Sequence, residues 1–378
     1  MSGTGDFRPS LVRPALDGLA AYEPGRPIED VQRELGLERV VKLASNEGPF
    51  GPFPQALEAL ARAAPELNRY PDGGAYRLRA ALAERHGVPP AQVALGAGAD
   101  GVIGSLCQAT LDPGDEVVCG WPSFPSYVID PRKLGATVRT VPLREGRYDL
   151  EAMLEAITAR TKLAFVSYPN NPTGTITSRG ELDAYFARVP ERVLTVLDQA
   201  YFEYLDDPEY VDGIEAYVRE GRQVMVLRTF SKIYGLAGLR IGYGVGPEEI
   251  VSAILIVRRA FDLNHAGQVA ALASLDDPAE VERRRRLNAT ERGTIESALR
   301  AAGFDVAGPA VANFVYAGTG EDSTPLFEAL LRLGVIVRPL HGFGAPEAIR
   351  VTVGAPAENA IFAEALAAVC ATSEAPAQ

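Results

Sequence analysis

The sequence predicts an α/β protein: a large domain with a mostly parallel sheet covered by helices on both faces, plus a smaller C-terminal α/β domain. Three observations predict it. Apolar, β-rich runs alternate with helical stretches from about residue 93 to residue 245, as expected of strands buried on both faces and joined by helical crossovers. After about residue 250 the texture changes to long helical stretches followed by short strands. The chain of 378 residues, 47% hydrophobic and 23% charged, has ordinary folded composition and the length of roughly two domains.

Taken in order, residues 1–40 form an arm, punctuated by Pro9, Pro14, Pro24 and Pro27 and expected to pack with the small domain. A short helix is expected there over 28–35. Residues 41–250 form the large domain and 251–378 the small one. The run 42–52 reads as a strand giving way to a turn-rich loop. Helices are expected over 54–64 and 76–86, with a loop over 68–74. Strands follow over 93–95, 116–119, 137–141, 163–167, 193–197, 223–228 and 239–245, with helices over 99–110, 124–134, 150–157 and 179–187. The small domain is expected to hold helices over 249–259, 279–302, 325–333 and 358–369, with strand-like runs over 313–316, 335–338 and 349–353.

Composition narrows the partners. A formal charge of −12 argues against nucleic acid or an anionic membrane as partner. The basic run Arg283 to Arg286 follows Glu280 and Glu282 and reads as a solvated helix face. Cys107, Cys119 and Cys370, with His86, His265 and His341, give no metal spacing, and the odd, scattered cysteines read as reduced thiols. Residues 1–14 lack the apolar core of an export signal, and no apolar run approaches the ~18 residues of a membrane span. A cytoplasmic protein is expected.

The chemistry centres on 229–243, TFSKIYGLAGLRIGY. Lys42, Lys133, Lys162 and Lys232 are the only lysines among 37 basic residues, so a lysine that persists in this arginine-biased chain points to a need for an amine. Of the four, only Lys232 stands among small and hydroxylic residues at the mouth of an apolar strand. There an amine can lose its proton by desolvation and attack a carbonyl, the behaviour of an imine-forming lysine. In parallel sheets ligands gather at the carboxyl ends of strands. Those ends carry GAGAD at 96–100, YPNNPTG at 168–174, DQAY at 198–201 and the Lys232 stretch. The 96–101 run satisfies G-x-G-x-x-G, but a dinucleotide site also wants an acid ending the next strand. Here that strand ends in Cys119-Gly120-Trp121, so only a phosphate-binding helix start survives.

From about residue 22 to the last helix, the chain resembles the fold-type-I pyridoxal-phosphate aminotransferases, most closely the histidinol-phosphate aminotransferases. The motifs are NNPTG at 170–174, Asp198-x-Ala200-Tyr201, Ser231-Lys232 followed eight residues later by Arg240, and Arg350 within IRVTVG at 349–354. The resemblance implies pyridoxal 5′-phosphate as cofactor, held by Lys232, which then acts as the base. It implies Asp198 on the ring nitrogen, Tyr201 and Asn171 on the ring oxygen, and Phe124 over the ring face. It places the phosphate on Ala99 and Asp100 at the helix start, with Thr229, Ser231 and Arg240 completing the cradle. Tyr70 matches a residue that reaches the phosphate from a partner subunit, and so implies a homodimer. Tyr22, Asn171, Arg338 and Arg350 are the substrate-side set. Taken singly, Asp198 is also a plausible helix cap, Tyr201 a half-buried tyrosine, Asn171 a turn residue and Phe124 a core residue.

The implied reaction exchanges an amino group between a small-molecule donor, L-histidinol phosphate, and 2-oxoglutarate, a step of histidine biosynthesis. Arg350 suits a substrate phosphate or an α-carboxylate equally, which keeps open an aminotransferase of aromatic or specialised amino acids. A decarboxylase of an amino-acid phosphate on the same fold keeps every cofactor residue, whereas a non-catalytic descendant conflicts with the retention of Lys232, Asp198 and Arg240. The chain departs from the resembling pattern at Gly48, at Gln199 in place of glutamate, and at His265 and His341, which are expected in site-facing loops.

Overall fold

Seven short runs of valine, leucine, alanine and phenylalanine form one sheet in the computed structural model, which describes residues 11–19, 25–207 and 210–373. Numbered within that sheet, they are β1 Val93–Gly96, β2 Glu116–Trp121, β3 Thr137–Pro142, β4 Thr161–Ser167, β5 Leu194–Asp198, β6 Val224–Thr229 and β7 Gly242–Val245. The spatial order is β1-β7-β6-β5-β4-β2-β3, and only β7 runs against the others. Side chains alternate between faces along a strand, and two separate cores result. Ala164, Val166, Leu197, Val224 and Val226 point into one. Leu163, Phe165, Val196, Met225 and Leu227 point into the other. Both faces are apolar, so both need helices over them.

The helices end where the sequence contains the matching chemistry. Ile28–Leu35 and Tyr76–His86 stop at Gly36 and Gly87, both left-handed, a conformation that glycine adopts without a Cβ clash. Ser178 and Glu181 cap Arg179–Phe186 reciprocally, and Asp277 caps Pro278–Ala301.

A four-stranded antiparallel sheet of Asp305–Val306, Phe314–Gly318, Arg338–Leu340 and Ala345–Thr352 lies in the C-terminal part. A third core lies beneath it, built with Ile295, Leu299, Phe362 and Leu366. Val41–Lys42 pairs in parallel with Val335–Ile336, and Val41 and Leu43 enter that same core. The segment after the arm is therefore stitched to the C-terminal sheet. Among the described residues, no helix is long and apolar enough to cross a membrane.

Several elements differ from the sequence expectation: the run expected over 335–338 splits into Val335–Ile336 and Arg338–Leu340, which belong to different sheets, and Asp305–Val306 is an additional strand. The strand expected over 239–245 begins only at Gly242, because Leu239 closes a 3-10 turn and Arg240 is left-handed at φ 53°. A helix, His265–Ser274, occupies what the sequence leaves without an element, with Asn264 capping it through Gly267 N–H. Its alanines and glycine form no wide apolar stripe. They allow close approach instead: a Cβ on Gly267 would sit 2.4 Å from Ile241. Tertiary contact stabilises this helix more than periodicity does.

Candidate active site

The carboxyl ends of β4, β5 and β6 and the start of helix Gly98–Thr110 meet at a cleft of about 180 Å3. It is lined by Ala99, Asp100, Phe124, Asn171, Asp198, Tyr201, Thr229, Ser231, Lys232, Arg240, Arg338 and Arg350. Twelve of the fourteen site residues proposed from sequence therefore converge in one chain. Tyr70 does not: it is 81% exposed and stacks on Phe261 at 4.6 Å, outside the cleft. Tyr22 lies outside the described residues.

Lys232 follows β6 by three residues. Its Nζ lies 3.4 Å from the Ser45 carbonyl and 5.6 Å from the Tyr201 ring centre. Burial, then the Arg350 charge and to a smaller degree that of Arg240, pulls its pKa down to about 7. The amine is thus substantially neutral, and nucleophilic, near neutral pH.

Asp198 ends β5 and is buried. Its carboxylate accepts from the Tyr127 hydroxyl at 2.6 Å and from Ala200 N–H at 2.9 Å. Burial pushes its pKa up, and these two hydrogen bonds oppose that shift. No arginine or lysine forms an ion pair with it among the described residues, so the buried anion has room for a cationic N–H ligand.

Tyr201 accepts at its hydroxyl from Asn46 Nδ2 at 2.8 Å. The Asn171 carbonyl oxygen accepts from Arg350, which turns its amide nitrogen outward as a donor. Arg350 also donates to the Ala44 carbonyl at 2.8 Å. Arg338 and Arg350 are opposed across the antiparallel pair Arg338–Leu340 and Ala345–Thr352. Each guanidinium lies near the Phe343 ring, 5.6 Å and 5.1 Å from its centre.

Arg240 reaches under the helix start, donating to Ser231 Oγ at 3.4 Å, Ala237 O at 3.2 Å and Ala97 O at 3.3 Å. All three acceptors are neutral, so the charge is not consumed. A Cβ on Gly98, at φ 79°, would meet Arg240 at 2.7 Å, and one on Gly242 would meet the Ala99 nitrogen at 2.2 Å. Glycine at both positions lets strand, arginine and helix N-terminus close into one cradle. Free N–H groups and a positive dipole end make it an anion site.

Sequence reasoning missed Asn46 and Tyr127. Asn46 is left-handed (φ 56°) within the turn-rich loop after Lys42, a conformation asparagine tolerates, so the signal was present but not tied to Tyr201. Tyr127 stands three residues after Phe124 and stacks on Phe165 at 4.7 Å, indistinguishable from a core tyrosine in sequence. The histidine expectation is corrected in part. His265 opens a helix and does not line the cleft of its own chain. His341 sits in a 3-10 turn, bonded to Asp322 at 2.9 Å, on the lining of a neighbouring cavity. A Cβ on Gly48 would make only ordinary contacts, 3.5 Å or longer.

The donor set fits pyridoxal phosphate: an anion cradle, a buried carboxylate without a cationic partner, outward amide and hydroxyl groups, and a depressed lysine. Comparisons agree. The family described as Aminotransferase class I and II matches residues 38–366. A histidinol-phosphate aminotransferase of Moorella thermoacetica is 44% identical, over 95% of this chain and 93% of that protein. An aromatic amino acid aminotransferase of Thermobifida fusca is 45% identical, over 94% and 96%. The solved histidinol-phosphate aminotransferase of Sinorhizobium meliloti, a complex with pyridoxal-5′-phosphate, superposes with a TM-score of 0.85 at 29% identity, over 97% and 99%. Pyridoxal phosphate is the cofactor of such fold-type-I aminotransferases, and this chain belongs to the class I and II aminotransferase family.

Proposed function

We propose that the chain is a histidinol-phosphate aminotransferase, interconverting L-histidinol phosphate plus 2-oxoglutarate and imidazole acetol phosphate plus L-glutamate. The observation that carries this reading is the opposed pair Arg338 and Arg350. Both side chains line the cleft, and a guanidinium suits bidentate grip of a phosphate or carboxylate. Histidinol phosphate brings a phosphate there, and glutamate brings carboxylates. The neighbouring cavity, about 670 Å3, shares Arg338 and Phe343 with the cleft. Its lining adds Arg26, Arg132 and His341, with no carboxylate among the described residues. The names of the Moorella and Sinorhizobium relatives support the same substrate.

When bound, pyridoxal phosphate supplies the electron sink that makes the substrate Cα–H acidic. The rest is assigned to side chains of this chain. Lys232 would hold the cofactor aldehyde and, once released as a neutral amine, would be the base that moves the substrate Cα proton. Asp198 keeps the ring nitrogen protonated. Tyr201 and Asn171 donate at the ring oxygen, and Phe124 covers the ring face. Ala99 and Asp100 N–H groups, Thr229, Ser231 and Arg240 hold the phosphate. Arg350, with Arg338, orients the substrate anion. Two amino transfers through one site give double-displacement kinetics.

In this reading the working unit is a homodimer in which the partner subunit's Tyr70 completes each phosphate site. Exposure of Tyr70 on the outside of its own chain supports that. The same reading divides the chain into an arm (1–40), a cofactor-binding body (41–250) and a small domain (251–378), supported by the separate core under the C-terminal sheet.

The deciding experiment compares kcat/KM for histidinol phosphate, histidine, phenylalanine and tyrosine as donors to 2-oxoglutarate. Histidinol phosphate is expected to lead. Phenylalanine or tyrosine in the lead would instead give this chain the activity named for its Thermobifida relative. Arg350→Ala is expected to raise KM for both substrates and cost about 2–4 kcal/mol in kcat/KM, roughly 30- to 1000-fold. Arg338→Ala is expected to harm histidinol phosphate more than glutamate, because a dianion gains more from a second cation.

A further inference from the structure

Asp198 and Thr229, the last residues of β5 and β6, face the cleft. Alternation along a strand turns their neighbours Gln199 and Arg228 to the opposite side of the sheet. There Arg228, whose side chain is 3% exposed, donates to Gln199 Oε1 at 3.1 Å and to the Asp212 carboxylate at 2.8 Å. Its guanidinium lies 3.3 Å over the Phe202 ring centre.

Gln199 is fully buried and uses its whole amide. Besides Arg228, Oε1 accepts from Gly213 N–H at 3.2 Å, while Nε2 donates to Val211 O at 2.6 Å and the Tyr210 hydroxyl at 3.3 Å. Its backbone N–H donates to Leu227 O at 2.9 Å. The loop carrying Asp198 and Tyr201 is thereby tied to the strand that leads into Lys232. The amide also accounts for glutamine at this position. Val211 O needs a donor, which a carboxylate lacks, and Asp212 already pairs with the Arg228 charge. Buried Glu203 stands nearby as a further acid, so another carboxylate would add uncompensated negative charge.

We propose that Gln199 and Arg228 are positioning residues: from the back of the sheet they set the alignment of Asp198 and Tyr201 relative to Lys232. The proposal rests on the assignment of the cofactor to this cleft. Neither side chain lines the cleft, so their effect must pass through the two loops.

The test compares wild type, Gln199→Met, Gln199→Glu, Arg228→Met and the double Met variant, each loaded with pyridoxal phosphate. The readouts are the pH midpoint of the bound cofactor's visible band, kcat and KM separately, and Tm without cofactor. Gln199→Met is expected to move the midpoint by about one pH unit and lower kcat about tenfold, with KM changed less than about threefold. Gln199→Glu keeps an acceptor for Arg228 but loses the donor to Val211 O and adds a charge, so its midpoint is expected to stay displaced from wild type by at least about half the Gln199→Met shift. The double variant should shift no further than the larger single one, since both remove one shared contact.

An unchanged midpoint and kcat with a lowered Tm in Gln199→Met would reduce the pair to a structural role and overturn the proposal. Additive midpoint shifts overturn it as well. Arg228→Met leaves Asp212 without its ion-pair partner and buried Glu203 without a neighbouring cation. If it does not fold, the two Gln199 variants decide the matter alone. A wild type that binds no pyridoxal phosphate at Lys232 refutes the cofactor assignment itself, a result distinguishable from all of these.

Discussion

A lysine becomes a reagent when its surroundings make the ammonium costly. Around Lys232 burial does most of this, and Arg350 and Arg240 add positive charge on the same side. Two outcomes follow. Lys232→Ala is expected to lower turnover by at least about 1000-fold. Borohydride treatment followed by peptide mass analysis should then find cofactor on the wild-type Lys232 peptide and on no peptide of the variant. The second concerns pH. With a folded pKa of about 7 against an ordinary 10.5, Lys232 binds less proton than the unfolded chain between those values. Through this group, stability of the cofactor-free protein rises with pH across that window, and the destabilisation is complete below about 7. Capture of added pyridoxal phosphate, followed by visible absorbance, should be half-maximal near pH 7. Arg350→Met should move that midpoint upward, because it removes a cation that disfavours the ammonium. A midpoint near 10 in wild type would contradict the assigned environment.

At the scale of elements, the anion cradle depends on β7 meeting the start of helix Gly98–Thr110 at van der Waals limits. Gly242→Ala inserts a methyl where the Ala99 nitrogen lies 2.2 Å away, so the strand end or the helix must shift. Overpacking of this kind costs roughly 1–3 kcal/mol. The same displacement should weaken pyridoxal phosphate binding at least about tenfold in an equilibrium titration of the cofactor-free protein. Ser178→Ala provides the contrast. It removes a capping box whose residues do not line the cleft and should lower stability by about 1 kcal/mol in denaturant unfolding, with kcat unchanged. Equal effects of both substitutions on cofactor affinity would mean that the cradle is not specific to the β7 contact.

At the scale of the molecule, the cleft of one chain contains every cofactor group proposed from sequence except Tyr70. Tyr70 stacks on Phe261 at the surface, and Leu67 and Tyr76, close to Tyr70 in sequence, are exposed as well. Aromatic clusters of this sort are usual where a second surface covers them. The proposed homodimer should therefore show in sedimentation at assay concentration. Mixing Lys232→Ala subunits with Tyr70→Ala subunits, each impaired alone, should restore part of the activity, because one of the two sites in a hybrid is intact. A fully active monomer would remove Tyr70 from the site.

By itself the sequence determined the chemistry and most of the framework. Short β-rich runs with helices between them are local signals, and helices 28–35 and 76–86 were legible to the residue. Lys232, Asp198 and Arg240 were legible because motif spacing survives without knowledge of contacts. Other features came only from tertiary structure. Helix His265–Ser274 buries one face, but with Gly267, Gln268, Ala270, Ala271 and Ser274, small or polar residues that give no strong apolar stripe in sequence. Arg240 breaks the expected strand, since its left-handed backbone is what aims the guanidinium beneath the helix start. Asn46 reaches Tyr201 across 155 residues, and Gln199 gains its meaning from Arg228 behind the sheet. Contacts between distant segments leave no periodic trace in either segment, so they exist as information only once the chain has folded.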